Sequence, residues 1–424
     1  MIMEVEMLID FKFKNFMSFR NETLFTMEAN ADKSHEDNLI QDKNKRYSKV
    51  RVMYGANASG KSSFIKALDF VYQFVLISNV LLNTNQIGII PYKFRGDCFN
   101  YPSEFCIDFI KNGQRYKYSF SCKRDRVINE RLDVFYSAKS TNIFNRYDTE
   151  HFEVNKNFIN TNKIQEKPDP YKLFLTMIAS KQIDAAKQVV EFLLNDLFIL
   201  RSPDINFNYK FIFDNNDFEG FKKFCLKILE NADINITDFD IEVKTLKDLD
   251  NVDNFLRLYS EQTKSELLKN TNVFNIRTLH QIKNGDKNEA YELNMKQESL
   301  GTQQLFNLAP ILYYVFRDGK TLIVDELDKS LHPLLVQYII KMFLDKDINK
   351  KNAQLICNTF DTNLLDLDLL RRDEIWFTEK DFKTGVSELY SLSDFSIRKN
   401  ENVNIGYMLG RYGAIPFIKG VLDV

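Results

Sequence analysis

An α/β fold with an antiparallel β subdomain and an inserted, mostly helical lobe is what this sequence predicts, and three observations predict it. Val50–Tyr54 is an apolar strand pattern, a glycine-bounded loop follows, and from Lys61 the residues Phe64, Ile65, Leu68, Val71 and Val75 recur at helical spacing. Glu104–Phe135 alternates apolar and polar residues around a turn signal at Asn112-Gly113, the pattern of antiparallel strands. A second apolar strand, Thr321–Val324, ends in the adjacent carboxylates Asp325 and Glu326.

The remaining elements fall into place around these three. Leu8–Phe19 alternates and, after Arg20-Asn21, a second strand-like run covers Glu22–Glu28, so the chain opens on a hairpin. Ala29–Ser48 is polar and basic and reads as a solvated loop, with a DNA-contacting edge as the alternative. Asp169–Leu200 and Asp217–Glu230 carry helical patterns, and a hairpin around Asn284-Gly285 joins strands near Val273–Ile282 and Glu289–Lys296. A three-part organisation follows: residues 1–160 with the glycine loop and antiparallel strands, 161–298 as the helical insertion, and 299–424 completing the core. No repeat of 20–50 residues and no heptad seam is present, which argues against a long coiled-coil arm.

Composition excludes several classes of function. A net charge of −2 leaves no global excess to hold polyanions, so nucleic-acid binding would need a local patch. The five cysteines (Cys98, Cys106, Cys122, Cys225, Cys357) show no CxxC spacing, and their odd number argues against a secreted disulfide framework. The first residues do not read as a basic-then-apolar leader with a small-residue cleavage site, and the longest apolar stretch, Phe70–Leu82, is interrupted by Gln73, Ser78 and Asn79. The expectation is a cytoplasmic protein without membrane association.

The chemistry resides in three segments. Gly55-Ala-Asn-Ala-Ser-Gly60-Lys61-Ser62 fits GxxxxGK[ST] between a strand and a helix, a pattern that composition alone produces in roughly one chain in a hundred of this length. Glycines let backbone N–H groups wrap phosphates, and the helix start adds its unpaired donors and positive dipole end. Lys61 then neutralises β- and γ-phosphate oxygens, while the Ser62 hydroxyl is a ligand for Mg²⁺. In Thr321–Glu326 the chain bends after the strand, so that Asp325 can hold Mg²⁺ through water and Glu326 can take a proton from the attacking water. Glu298-Ser299-Leu300-Gly301-Thr302-Gln303-Gln304 precedes the helical run Leu305, Leu308, Leu312, Val315 and supplies a hydroxyl and backbone N–H groups at a helix start.

In this order the segments resemble those of ABC-type ATPases. Ser299-x-Gly301 resembles the signature, and Asp325-Glu-Leu-Asp328-Lys-Ser-Leu-His332-Pro333 resembles Walker B followed by the D-loop. Gln354–Leu365 resembles the switch segment, and Tyr407–Pro416 resembles the chain end of stand-alone bacterial AAA family ATPases of the RecF/SMC-like branch, often encoded in abortive-infection operons. The resemblance implies an ABC-type P-loop NTPase head, ATP and Mg²⁺ as cofactors, and a head-to-head homodimer in which Ser299 and Gly301 cap the nucleotide of the opposite subunit. It assigns Gly55, Asn57, Gly60, Lys61, Ser62, Ser63, Ser299, Gly301 and Asp328 to the nucleotide, Ser62 and Asp325 to the metal, and Glu326 to catalysis. It further implies a separately encoded effector, a toxin or nuclease, in antiphage defence. A DNA-binding repair-type clamp and a very slowly hydrolysing scaffold are the alternatives. One position departs from the pattern: the switch histidine of the family is Phe360 here, and a phenyl ring accepts no hydrogen bond and positions no water. The Q-loop glutamine has no clear counterpart.

Overall fold

The computed structural model describes residues 6–79, 86–160, 164, 166–201, 217–245, 272–397 and 401–416. The end of the apolar stretch Phe70–Leu82 and parts of the expected insertion lie outside the described residues. Among the described residues no helix is long and apolar enough to cross a membrane.

In chain order the strands are β1 (Met7–Lys14), β2 (Thr23–Thr26), β3 (Leu39–Asp42), β4 (Lys45–Ser48), β5 (Val50–Tyr54), β6 (Ser103–Lys111), β7 (Gln114–Cys122), β8 (Val127–Phe135), β9 (Ser140–Arg146) and β10 (Phe152–Val154). They continue with β11 (Leu197–Leu200), β12 (Asp238–Thr245), β13 (Asn272–Asn284), β14 (Lys287–Asn294), β15 (Thr321–Val324), β16 (Gln354–Asn358), β17 (Ile375–Lys380) and β18 (Ser387–Ser391). The helices are α1 (Lys61–Asn79), α2 (Phe174–Ser180), α3 (Asp184–Glu191), α4 (Phe218–Asn231), α5 (Leu300–Asp318), α6 (Pro333–Leu344) and α7 (Val403–Met408).

The chain divides into two compact units. The first comprises residues 1–203, 315–329 and 336–424, and the second residues 204–314 and 330–335. Residues 161–203 of the expected insertion therefore belong to the first unit.

Two large sheets and the two-stranded β3–β4 ribbon build the first unit among the described residues. The six-stranded sheet has the order β11-β15-β16-β5-β17-β18, parallel except for β18. Its central strand β5 is buried at every residue, as expected for a parallel strand covered on both faces. The seven-stranded antiparallel sheet has the order β10-β9-β8-β7-β6-β1-β2. The turn between β6 and β7 uses Asn112 (φ 50°) and Gly113 (φ 69°), the residue types that reach left-handed conformations cheaply. Helix α1 lies against this sheet: the Phe64 ring meets Phe11 edge-on at 6.1 Å and Phe25 at 4.8 Å. Phe25 in turn meets Trp376 of β17 at 5.1 Å, which joins the antiparallel sheet to the parallel one.

Two expectations are corrected here. Ala29–Ser48 is not an open loop, because β3 and β4 pair antiparallel within it and both Ile40 and Tyr47 are buried. The helical pattern from Asp169 holds for α2 and α3, but Leu197–Leu200 is a strand that pairs in parallel with β15. Four consecutive apolar residues fit either state, and an open edge of the parallel sheet decides for the strand.

In the second unit α4 buries Phe221, Cys225, Ile228 and Leu229, and β12-β13-β14 form a three-stranded antiparallel sheet. Asn284 faces Lys287 across the β13–β14 turn, so the hairpin sits where the sequence places it, although β12 carries no comparable turn signal.

Candidate nucleotide site

Within the first unit β5 delivers the chain into the glycine loop, and α1 leaves it at Lys61. Gly55 is required by close approach: a Cβ there would stand 2.4 Å from the Thr378 carbonyl oxygen. Gly60 is required by its backbone, at φ 129°, and a Cβ would also lie 2.8 Å from Ser387 Oγ. The loop is anchored from outside as well, since the Ser59 and Thr378 hydroxyls are 2.6 Å apart and Ser387 Oγ donates to the Ser59 carbonyl at 2.6 Å. Ser59, Thr378 and Ser387 are all buried.

The loop lines a cavity of about 520 Å³, whose walls include Ala56–Ser63, Ser18, Glu326, Phe360 and Lys380. Sequence reasoning did not single out Ser18 or Lys380, which reach this wall from the β1–β2 connection and the end of β17. The Lys61 ammonium donates to the carbonyls of Gly55 and Ala56, at 3.2 Å in the latter case. Its Nζ lies 3.9 Å from the centre of the Phe360 ring, a cation–π contact. Burial pulls the Lys61 pKa down to about 8 against the opposing pull of Asp325, Glu326 and Asp328.

The two candidate metal ligands meet: Ser62 Oγ donates to Asp325 Oδ1 at 3.0 Å. A hydroxyl and a carboxylate are the hard oxygen donors that Mg²⁺ takes from a protein, the rest of its octahedron coming from water and phosphate. Glu326 stands on the cavity wall with its backbone in the left-handed region, at φ 58°. For a residue with a Cβ this is a costly conformation that its surroundings must hold. Asn358, fully buried at the end of β16, supplies that hold. Its Oδ1 accepts from the Glu326 N–H at 2.7 Å, its carbonyl accepts from the Leu327 N–H at 3.0 Å, and its Nδ2 donates to Asp325 Oδ1. Asn358 is a further residue that sequence reasoning missed, and no local pattern marks it. Two residues on, the Phe360 N–H donates to Asp328 Oδ2 at 3.0 Å.

Tyr407 in α7 stacks on Phe377 at 5.5 Å and meets Tyr54 at 5.9 Å, so the chain end braces the strand that leads into the loop.

The signature segment belongs to the second unit and has its own local order. Ser299 Oγ accepts from the Thr302 N–H at 3.1 Å and lies 2.8 Å from Thr302 Oγ1, an N-cap for α5. A Cβ on Gly301 would come within 3.1 Å of the Ser330 carbonyl oxygen, so this glycine has a packing reason of its own. Glu298 is fixed by His280 at 2.8 Å and by Thr278 at 2.6 Å, which gives His280, isolated in sequence, a partner. His332 Nδ1 accepts from the Leu334 N–H at 3.2 Å at the start of α6, a structural role.

A family model described as "AAA domain, putative AbiEii toxin, Type IV TA system" matches residues 50–366, from β5 past the switch segment. The chain belongs to this family. Its fold is accordingly that of a P-loop ATPase head, with the antiparallel subdomain and the inserted unit described above. Among solved structures the chain is similar to the SMC head domain from Thermotoga maritima, at 13% identity and a TM-score of 0.38, covering 92% of this chain and 99% of that one. It is also similar to the recombination mediator protein RecF-ATP of the RecFOR pathway, at 14% identity and a TM-score of 0.35, covering 91% and 98%. No curated protein matches the chain.

Proposed function

We propose that this AAA domain binds ATP with Mg²⁺ in the cavity beneath the glycine loop, hydrolyses it slowly, and does so as a head-to-head dimer. The observation that carries the reading is the convergence of Lys61, Ser62 and Glu326, from two distant parts of the chain, on one cavity, with Asp325 joined to it through the Ser62 hydroxyl. Lys61 would turn from the loop carbonyls and the Phe360 ring to the β- and γ-phosphate oxygens, and Ser62 and Asp325 would hold Mg²⁺, which when bound offsets phosphate charge. Glu326 would act as general base toward a water in line with the γ-phosphate. Gly55, Asn57, Gly60, Ser63 and Asp328 complete the nucleotide site in this reading, with Ser299 and Gly301 at the nucleotide of the opposite subunit. All five cysteines are unpaired, which suits a reducing cytoplasm. The toxin–antitoxin wording of the family description supports a role in antiphage defence, with the ATPase cycle controlling a separately encoded effector.

A second reading, a nucleotide-dependent scaffold with negligible turnover, is favoured by one observation, the phenyl ring of Phe360 over Lys61. Calorimetry and sizing chromatography test the two together. Lys61→Ala abolishes measurable ATP affinity, and unchanged affinity would remove the glycine loop from the site. Glu326→Gln retains ATP and accumulates as a dimer under saturating nucleotide, since an amide is no base. A Glu326→Gln protein that turns over ATP as fast as the natural one refutes the assignment of the base. A natural protein with no single-turnover cleavage establishes the scaffold.

A further inference from the structure

Asp325 and Glu326 can work only if two things are held still: the carboxylate that faces Ser62, and the left-handed turn that aims Glu326. In this fold one side chain touches both. Asn358 ends β16, the strand hydrogen-bonded between β15 and β5, and so lies beside both the carboxylate turn and the strand entering the glycine loop. Its amide is a two-way connector, with Nδ2 donating to Asp325 Oδ1 and Oδ1 accepting from Glu326 N–H, while its main-chain carbonyl takes the Leu327 N–H.

No other standard side chain of that size offers a donor and an acceptor at one branch point. Asp would lose the donor toward Asp325, and Leu would lose both groups while keeping the volume. The Asp325 Oδ1 that receives the amide is the atom that also receives Ser62 Oγ, so Asn358 fixes the rotamer of the carboxylate at the oxygen that meets Ser62. Groups in this position around a metal ligand set its orientation without touching the ion.

We infer that Asn358 is a positioning residue for hydrolysis, holding the Asp325 carboxylate toward Mg²⁺ and the Glu326 turn toward the attacking water. The inference rests on the assignment of Asp325 and Glu326 above. Its test uses the full chain and the non-hydrolysable analogue AMP-PNP, titrated by calorimetry in EDTA and across a Mg²⁺ series, beside steady-state turnover of ATP.

Asn358→Ala is expected to leave AMP-PNP affinity in EDTA within about 2-fold of the natural protein. It raises the Mg²⁺ concentration needed for half-maximal tightening by about 10- to 100-fold and lowers kcat by a similar factor, with KM for ATP little changed. Asn358→Leu, which preserves packing, gives the same split and covers the case in which Ala fails to fold. Lys61→Ala separates the levels, because it removes AMP-PNP affinity with and without Mg²⁺. If it does not, the site assignment itself has failed. An unchanged Mg²⁺ series in Asn358→Leu overturns the positioning role, as does a loss of AMP-PNP affinity in EDTA equal to the loss in Mg²⁺, which would mark Asn358 as a purely structural residue.

Discussion

Ser62 and Ser299 invite comparison, since each is a serine at a helix start with a glycine two residues away. Their hydroxyls are used differently. Ser62 Oγ donates to a carboxylate 263 residues away in sequence, and helix α1 has no need of that bond. Ser299 Oγ accepts a backbone N–H three residues on, which α5 does need. A long-range polar contact beside a cavity calls for a functional explanation, whereas a cap is sufficient reason for a serine. A phosphate role for Ser299 therefore has to be demonstrated by what happens between two subunits.

The largest effect expected from this contrast is at Ser62. Ser62→Ala should cut Mg²⁺-dependent turnover by about 10²-fold or more with little change in melting temperature, because the proposed metal ligand is lost and no cap is. Ser299→Ala should cost about 1 kcal/mol of stability through the lost cap, whatever it does to turnover. Mixing sharpens the contrast: Ser299→Arg and Lys61→Ala proteins, each inactive alone, should regain ATPase activity as a verified heterodimer with one intact shared site. No recovery in that heterodimer would leave Ser299 with its cap and nothing more.

Phe360 gives the next effect. Phe360→His removes the ring from Lys61 and adds a hydrogen-bonding group at the cavity wall, and a preorganised contact of that kind is worth on the order of 10²-fold in turnover. The increase should appear in kcat with ATP affinity little altered. A fast natural enzyme, or a substitution without effect in a folded protein, would show that the switch role lies elsewhere.

The last effect is on stability and leaves turnover untouched, because it concerns a polar group that serves the scaffold alone. Glu374, at the start of β17, is buried and accepts from the Arg371 N–H and from Asn38, with Arg51 and Asp373 close by. Burial lifts its pKa from 4.5 to about 7. The fold thus prefers the protonated acid, and stability falls as pH rises from about 4.5 to about 7, then levels off. The loss is of order 3 kcal/mol at most. Glu374→Gln should melt above the natural protein at pH 8, with the gap closing toward pH 5 and ATP affinity unchanged. An equal gap at both pH values would show that the carboxyl is not protonated in the fold.

What could be read in the sequence was what the chain does locally. The strand, glycine loop and helix at 50–79, the Asn112-Gly113 turn and the strand before Asp325 each carry their own periodicity or turn residues. Leu197–Leu200 could not be read, because only its partner β15, more than a hundred residues on, makes it a strand. The β3–β4 hairpin hid behind its charges, Asp42, Lys43, Lys45 and Arg46, which are ordinary on a two-stranded ribbon. Asn358 was invisible for the same reason as Leu197–Leu200: its meaning lies in the turn it touches. Phe360 stood out only against the family pattern, and its contact with Lys61 came from the fold.

The placement of β5 bears on how this protein is made. The strand lies within the first 54 residues, yet its hydrogen-bonded neighbours on both sides, β16 and β17, begin at residues 354 and 375. Synthesis runs from the N-terminus, and a parallel strand flanked on neither side has nothing to pair with. The strand that leads into the glycine loop therefore gains its sheet partners only after residues 354–380 have emerged from the ribosome. A message cut short before β16 yields a polypeptide that carries every residue of the loop without the strands that hold β5 in its sheet.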